Sequence, residues 1–139
     1  MNDVQVVLRL LVSAVLSGLI GLERQLHRRA AGLRTHILVS VGSTLIMLTS
    51  MYIFDIYKDK VLSDPSRIAS GIITGIGFLG AGTIIRYGEE IKGLTTAATL
   101  WVAAAVGMAV GCGFYLAACA TTIIALAVLL LLKTIENKI

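Results

Sequence analysis

Five long apolar blocks limit what this chain can fold into more than any other feature. They cover Val4–Leu22, His36–Phe54, Ile68–Ile85, Leu94–Val110 and Phe114–Leu132, and contain 19, 19, 18, 17 and 19 residues. Because an α-helix rises about 1.5 Å per residue, each block reaches about 26–29 Å, close to the thickness of the hydrocarbon core of a bilayer. The blocks therefore predict five transmembrane helices.

The composition supports this prediction, since 57% of the residues are hydrophobic and only 14% are charged. These values exclude an average soluble domain, a disordered chain and a disulfide-rich scaffold. No segment alternates polar and apolar residues as a membrane β-barrel requires. We expect an all-α, polytopic helix bundle that forms a single domain over residues 1–139, with no C-terminal soluble domain.

All basic residues except Arg9 lie outside the apolar blocks, which argues against nucleic acid as a partner and predicts an orientation. One side of the membrane would carry eight of them, against three on the other. The eight are Arg24, Arg28, Arg29, Arg34, Arg86, Lys92, Lys133 and Lys138, and the three are Lys58, Lys60 and Arg67. The excess predicts an N-terminus outside and a C-terminus in the cytoplasm.

Two connections carry recognisable turn signals. Asp64-Pro65 predicts the start of the third helix, with the carboxylate accepting free N–H groups and proline in the first turn. Gly111-Cys112-Gly113 predicts a tight turn between the last two helices. Cys112 and Cys119 form neither a disulfide framework nor a metal motif, so we expect them to pack as small apolar residues.

Glycines recur along the third and fourth blocks. Gly75, Gly77 and Gly80 match the spacing of a dinucleotide-binding fingerprint, but no strand precedes them and no acid follows about 20 residues later. No cofactor is therefore expected. Small residues one helical turn apart favour close helix packing instead. The predicted packing positions are Gly71, Gly75, Gly77, Gly80, Gly82, Gly107 and Gly111.

Polar residues follow one face of the first helix, from Arg9 through Ser13 and Ser17 to Arg24. Two interpretations are open. The face belongs to a polar pathway, or Arg9 extends to the outer surface while the serines bond within the bundle. Ser70 and Thr74 on the third helix are candidate partners.

The basic segment Glu23–Arg34 is typical of a juxtamembrane loop that contacts anionic lipid. Glu23 would be costly at that depth unless it pairs with Arg24 or Arg34. His27 and His36 are too isolated to suggest a metal site, and no acid lies within a block to conduct dehydrated Mg²⁺. No catalytic constellation is visible, so we do not expect an enzyme.

Three motifs, Gly21–Gly42, Asp64–Ile85 and Gly93–Gly113, together resemble the MgtC/SapB family membrane domain. The resemblance implies a bacterial inner-membrane protein of five helices, linked to growth in low magnesium and survival inside phagocytes. It also implies a possible membrane partner, because some members are thought to restrain the F-type ATP synthase. Many members carry a cytoplasmic regulatory domain after the fifth helix.

The family pattern includes charged and hydroxyl residues that we assign to a functional polar network at the helix ends. They are Glu23, Arg24, Arg34, Arg67, Thr95 and Thr96. The leading hypothesis is a non-enzymatic regulator that forms a homo-oligomer or binds a membrane partner through helix contacts. The alternative is a small oligomeric transporter or channel for an ion or small solute.

Overall fold

The computed structural model describes all 139 residues as a bundle of helices with one short β-hairpin. The helices are α1 (Asp3–Leu26), α2 (Leu33–Tyr57), α3 (Ser66–Thr83), α4 (Leu94–Gly111) and α5 (Tyr115–Ala127). A π-helical turn, Val128–Leu132, continues α5 into α6 (Lys133–Glu136), and strands β1 (Ile85–Tyr87) and β2 (Glu90–Lys92) connect α3 to α4. The predicted all-α class is confirmed.

Four helices are long and apolar enough to cross a membrane: α1, α2, α4 and the continuous segment Tyr115–Glu136. Helix α3 is not among them, although it has 18 residues. Its sequence contains five glycines and Arg67, which contribute little or negatively to its hydropathy. The predicted count of five spans therefore stays a prediction.

Helices α1 and α2 extend beyond the predicted blocks. A capping box starts α1, because the Gln5 amide donates to Asn2 Oδ1 at 2.9 Å and the Asn2 amide to Gln5 Oε1 at 3.3 Å. The helix then continues through Glu23 to Leu26, and α2 begins at Leu33. Much of the expected basic loop is thus helical, and only residues 27–32 connect the two helices.

The β-hairpin between α3 and α4 was not predicted. The third block was expected to be helical as far as Ile85, but α3 ends at Thr83 and Ile85 starts β1, opposite Lys92. Both strands are short and fully exposed, so they lack the apolar alternation of a buried strand. At the end of the hairpin, a Cβ on Gly93 (φ +89°) would collide with the Thr83 carbonyl. This glycine lets α4 turn back closely on α3.

Helix α4 is the central helix, and it contacts α1, α2, α3 and α5. Its side chains contribute to two small hydrophobic clusters. One contains Ala31, Ile72, Ile76, Leu100 and Ala104, and the other contains Val106, Val110 and Ala118. Because most of these side chains are small, the backbones of neighbouring helices approach closely, as they do in membrane bundles.

The interior is unusually polar for its size, with twelve polar or charged residues buried and twelve hydrophobic ones. Large apolar side chains such as Leu11, Phe78 and Leu116 are exposed instead. Buried hydroxyls bond mainly to helix carbonyls; Thr44 donates to Ser40 of its own helix and to Gly107 of α4, at 2.9 and 2.8 Å. This arrangement fits a lipid environment, where apolar surface faces outward.

Both predicted turns form. Gly113 has a φ of +84° in the turn between α4 and α5, and the Phe114 amide donates to the Ala109 carbonyl at 2.8 Å. At the start of α3, Asp64 Oδ1 accepts the Ser66 amide at 2.8 Å, as expected. Pro65 occupies the cap position rather than the first turn, because α3 begins at Ser66.

Candidate functional site

Charged and hydroxyl side chains meet at the end of the bundle where α1 ends and where α2 and α4 begin. We call this group the polar cluster; its members are Glu23, Arg24, His27, His36, Thr96 and Thr99. A close approach of α1 to α2 makes it possible, since a Cβ on Gly21 would lie 2.9 Å from the His36 Cβ and from the Leu33 Cα. Glycine at this position therefore lets His36 reach the interior.

Arg24 links α1 to α4 within the polar cluster. It is 5% exposed, and its Nη2 donates to Thr96 Oγ1 at 3.2 Å. Its Nη1 lies 3.9 Å from Glu23 Oε2, while its Nε has no hydrogen-bond partner. A buried guanidinium with a free N–H is an unsatisfied donor, which is uncommon in a folded interior.

Glu23 is also nearly buried, and its closest ionic partner is His27 rather than an arginine. Glu23 Oε1 lies 2.7 Å from His27 Nδ1, one helical turn further along α1. The Glu23 carbonyl is also 2.8 Å from the same nitrogen. The sequence signal for this pair was the spacing of four residues, which places the two side chains on one helix face.

His36 and Thr99 form the deepest part of the polar cluster. His36 is fully buried; its Nδ1 lies 2.8 Å from the Gly32 carbonyl and its Nε2 lies 2.9 Å from Thr99 Oγ1. The Thr99 hydroxyl is in turn 2.8 Å from the Thr96 carbonyl. The sequence analysis missed both residues as site members, because a histidine at the edge of an apolar block carries no indication of its partner.

A cavity of about 440 Å³ opens beside the polar cluster; we call it the end cavity. Its charged and hydroxyl lining residues are Glu23, Arg24, Arg29, Thr95, Thr96, Lys133 and Glu136. The π-helical turn contributes Val128, Leu129 and Leu132, and the rest of the lining is Ile91, Gly93 and Leu94. Single π-helical turns recur at functional sites, because they re-aim side chains within a helix.

A second cavity of about 520 Å³ adjoins the end cavity and shares Arg29, Gly93 and Thr96 with it. Its other charged residues are Arg28 and Lys92, and no acid lines it. The two cavities together have a net positive lining. This end of the bundle therefore favours an anion over a cation.

The structure brings together only part of the predicted polar network. Glu23, Arg24 and Thr96 meet in the polar cluster, and Thr95 lines the end cavity. Arg34 is exposed on the first turn of α2, with no ion pair to Glu23. Arg67 cannot join the network, because it lies sixteen residues before the end of α3, about 24 Å along that helix.

The predicted glycine positions fall into two groups. A Cβ on Gly107 would collide with the Ser40 carbonyl, one on Gly111 would lie 2.7 Å from Met47 Cβ, and one on Gly80 would lie 3.7 Å from Ala97 Cβ. In contrast, four glycines of α3 have nothing within 4 Å of an added Cβ: Gly71, Gly75, Gly77 and Gly82. Within this chain, no helix covers that part of α3.

The serines of the polar face of α1 bond within the bundle, as in the second interpretation, but Arg9 bonds to another helix. Arg9 Nη1 donates to the Gly111 carbonyl at 2.7 Å, at the end of α4. Ser13 and Ser17 donate to carbonyls of their own helix. The expected pairing of these serines with Ser70 is wrong, since Ser70 is exposed and donates to the Arg67 carbonyl. Thr74 is exposed as well. The face therefore stabilises helix ends and helix backbones.

No three His, Cys, Asp or Glu side chains lie close enough together to hold a metal ion. Cys112 and Cys119 are free and exposed, which contradicts the expectation of small, packed apolar residues. The Gly75-x-Gly77-x-x-Gly80 pattern lies inside α3, rather than between a strand and a helix.

Four membrane-length helices around a compact polar interior define a helical integral membrane protein. The sequence profile of the MgtC family matches residues 10–138. The chain therefore belongs to the MgtC family, which confirms the resemblance of its three motifs. No solved structure matches the chain.

Several curated proteins are similar in sequence. The chain is 50% identical over 111 residues to the putative magnesium transporter YhiD of Escherichia coli K12, covering 78% of this chain and 52% of that protein. It is 44% identical over 133 residues to protein MgtC of Salmonella typhimurium LT2, covering 96% and 54%. For protein MgtC of Brucella abortus the identity is 47% over 120 residues, covering 86% and 48%. The chain thus spans about half the length of these relatives.

Proposed function

We propose that this protein is a non-enzymatic regulator of the bacterial inner membrane that acts by binding another membrane helix. The observation that carries the proposal is the open face of α3. Only Ala69, Ile72, Ile76 and Gly80 of this helix are buried. In lipid, glycines on an exposed helix face let a second backbone approach closely, so that van der Waals contacts and Cα–H bonds stabilise the pair.

A groove of about 280 Å³ between α2 and α3 supports this proposal. Gly42 and Ser43 of α2 face Gly71 and Gly75 of α3 across it, with apolar side chains around them. The occupant is a second copy of this chain or a partner protein. The family resemblance suggests the F-type ATP synthase as one such partner, and the name of the Escherichia coli K12 relative, a putative magnesium transporter, suggests a link to magnesium.

Gly75→Leu tests the proposal, because a Cβ at this position has no atom within 4 Å and the rest of the side chain would extend into the groove. We expect the variant to insert and unfold like the parent but to lose cross-linked complexes in membranes. Ala120→Leu is the matched control, since it enlarges a small exposed residue on α5. Complexes that survive Gly75→Leu, or that are lost equally in Ala120→Leu, would overturn the proposal.

Transport by an oligomer is the second candidate, favoured by the name of the Escherichia coli relative. The interior of a single chain argues against a pathway through it, because apolar side chains such as Ile20, Leu100 and Ala103 are almost fully buried there. Purified protein in proteoliposomes should give no Mg²⁺ flux above empty vesicles. Flux that rises with the amount of protein would favour the transporter instead.

We further propose that all five long helices cross the membrane, with the N-terminus outside. A cysteine at Leu62, which is fully exposed between α2 and α3, should react with an impermeant reagent added outside the cell. Cysteines at Glu89 or Lys138 should react only after membrane disruption. The exposed Cys112 and Cys119 must first be replaced by serine. The reverse labelling pattern would contradict this topology.

A further inference from the structure

The end cavity combines three cationic side chains with an uncapped helix N-terminus. Arg24, Arg29 and Lys133 line it, and α4 begins at its wall with no side chain capping the helix. We propose that the end cavity binds a phosphate group, either in a lipid headgroup or in a soluble phosphate.

The start of α4 supplies backbone donors for such a group. Ala97 is the first residue of α4 whose amide bonds back along the chain, to the Gly93 carbonyl. The amides of Leu94, Thr95 and Thr96 precede it and have no partner within the helix. An anion placed there also interacts favourably with the positive end of the helix dipole. The hydroxyls of Thr95 and Thr96 line the same wall.

A second observation points independently to a ligand. Arg24 is 5% exposed and lines the end cavity, yet its Nε has no partner. Its Nη2 donates to Thr96 Oγ1 at 3.2 Å, whereas its Nη1 lies 3.9 Å from Glu23 Oε2, beyond hydrogen-bond distance. A phosphate oxygen is a strong acceptor for a free guanidinium N–H.

The two acids in the lining do not convert the end cavity into a cation site. Glu23 Oε1 lies 2.7 Å from His27 Nδ1, Glu23 Oε2 accepts no hydrogen bond but lies 3.9 Å from Arg24 Nη1, and Glu136 is exposed. The adjoining cavity adds Arg28 and Lys92 without any acid. Cationic groups therefore outnumber acids around the shared wall, and the favoured ligand is an anion.

Thermal unfolding of the protein in a phosphate-free maltoside detergent distinguishes the two sources of phosphate. One arm adds inorganic phosphate, compared with sodium chloride at equal ionic strength. The other arm adds phosphatidylglycerol, compared with uncharged diacylglycerol. A shift of the unfolding temperature by phosphatidylglycerol alone assigns a lipid headgroup, and a shift by inorganic phosphate assigns a soluble ligand. If neither ligand shifts it beyond its control, the proposal is wrong.

Variants of exposed arginines distinguish phosphate binding in the end cavity from a general effect of charge. Arg29→Gln should weaken phosphate affinity about tenfold, the effect of losing one charge-assisted bond. Arg34→Gln is the matched control, because it removes the same charge from an exposed residue that lines neither cavity. Equal losses in both variants would show a non-specific charge effect and overturn the site.

A gain of affinity is a sharper test than a loss. Glu136→Gln removes a repelling carboxylate from the lining and should strengthen phosphate binding about threefold. Glu89→Gln, in the exposed turn of the hairpin, removes the same charge outside both cavities and should leave the affinity unchanged. An unchanged affinity in Glu136→Gln, or an equal gain in both variants, would contradict the proposed location.

Discussion

The imidazole Nε2 of His36 and the hydroxyl Oγ1 of Thr99 lie 2.9 Å apart and join α2 to α4 inside the bundle. His36 Nδ1 lies against the Gly32 carbonyl, which can only accept a hydrogen bond, so Nδ1 carries the proton. The pair thus fixes the ring orientation and the position of α2 against α4. The polar cluster depends on that position.

Loss of the Thr99 hydroxyl should destabilise the protein. Thr99→Val keeps the side-chain shape but leaves His36 Nε2 without a partner, so we expect a loss of about 1 kcal/mol in unfolding free energy. Thr95→Val is the control, since Thr95 is exposed one turn earlier in α4 and its loss should change the unfolding free energy by less than about 0.5 kcal/mol. Chemical unfolding in detergent measures both. Equal effects would argue against a structural role for the buried bond.

Glu23 should be coupled energetically to His27 and not to Arg34. A double-mutant cycle of Glu23→Gln with His27→Gln should give a coupling above about 0.5 kcal/mol, because the charged or polar atoms lie 2.7 Å apart. The same cycle with Arg34→Gln should be additive, because Arg34 is exposed. Coupling of Glu23 to Arg34 but not to His27 would contradict the pairing of Glu23 with His27. Thermal unfolding in detergent provides the free energies.

The two groups of glycines should respond oppositely to alanine. Gly107→Ala places a methyl group against the Ser40 carbonyl and should cost about 1–3 kcal/mol through overpacking of α2 and α4. Gly75→Ala meets open space and should be neutral or stabilising by up to about 1 kcal/mol, because alanine favours a helix. Unfolding of the detergent-solubilised protein compares them. A larger loss in Gly75→Ala would contradict the open face of α3.

Acid should weaken the turn before α3. Hydrogen bonds from Ser66 lower the pKa of Asp64 below its usual value. Since the folded-state pKa is the lower one, the carboxylate stabilises the turn above its usual pKa, and this contribution is lost as the pH falls through the lowered value. NMR titration of the carboxyl should detect the shift. Ser66→Ala should return the pKa toward its usual value, and an unchanged pKa would contradict this cause.

The sequence predicted the elements better than it predicted the contacts between them. Block lengths and the Gly111–Gly113 turn located the helices, because hydropathy and turn chemistry are local properties. The β-hairpin was not predicted, because two strands of three residues are too short to show the polar–apolar alternation of a strand. Of the six residues predicted for the polar network, the structure brings Glu23, Arg24 and Thr96 together at one end of the bundle.

The sequence by itself determined a membrane protein built of long apolar helices and its membership of the MgtC family, since both follow from residue order alone. Only the tertiary structure decided that His36 rather than Arg34 enters the polar cluster, and that Gly107 rather than Gly75 packs within the chain. The physical reason is the rotation of each helix about its axis. Because lipid is as apolar as the side chains, hydropathy does not determine which face of a helix points inward. Close packing of the backbones determines it.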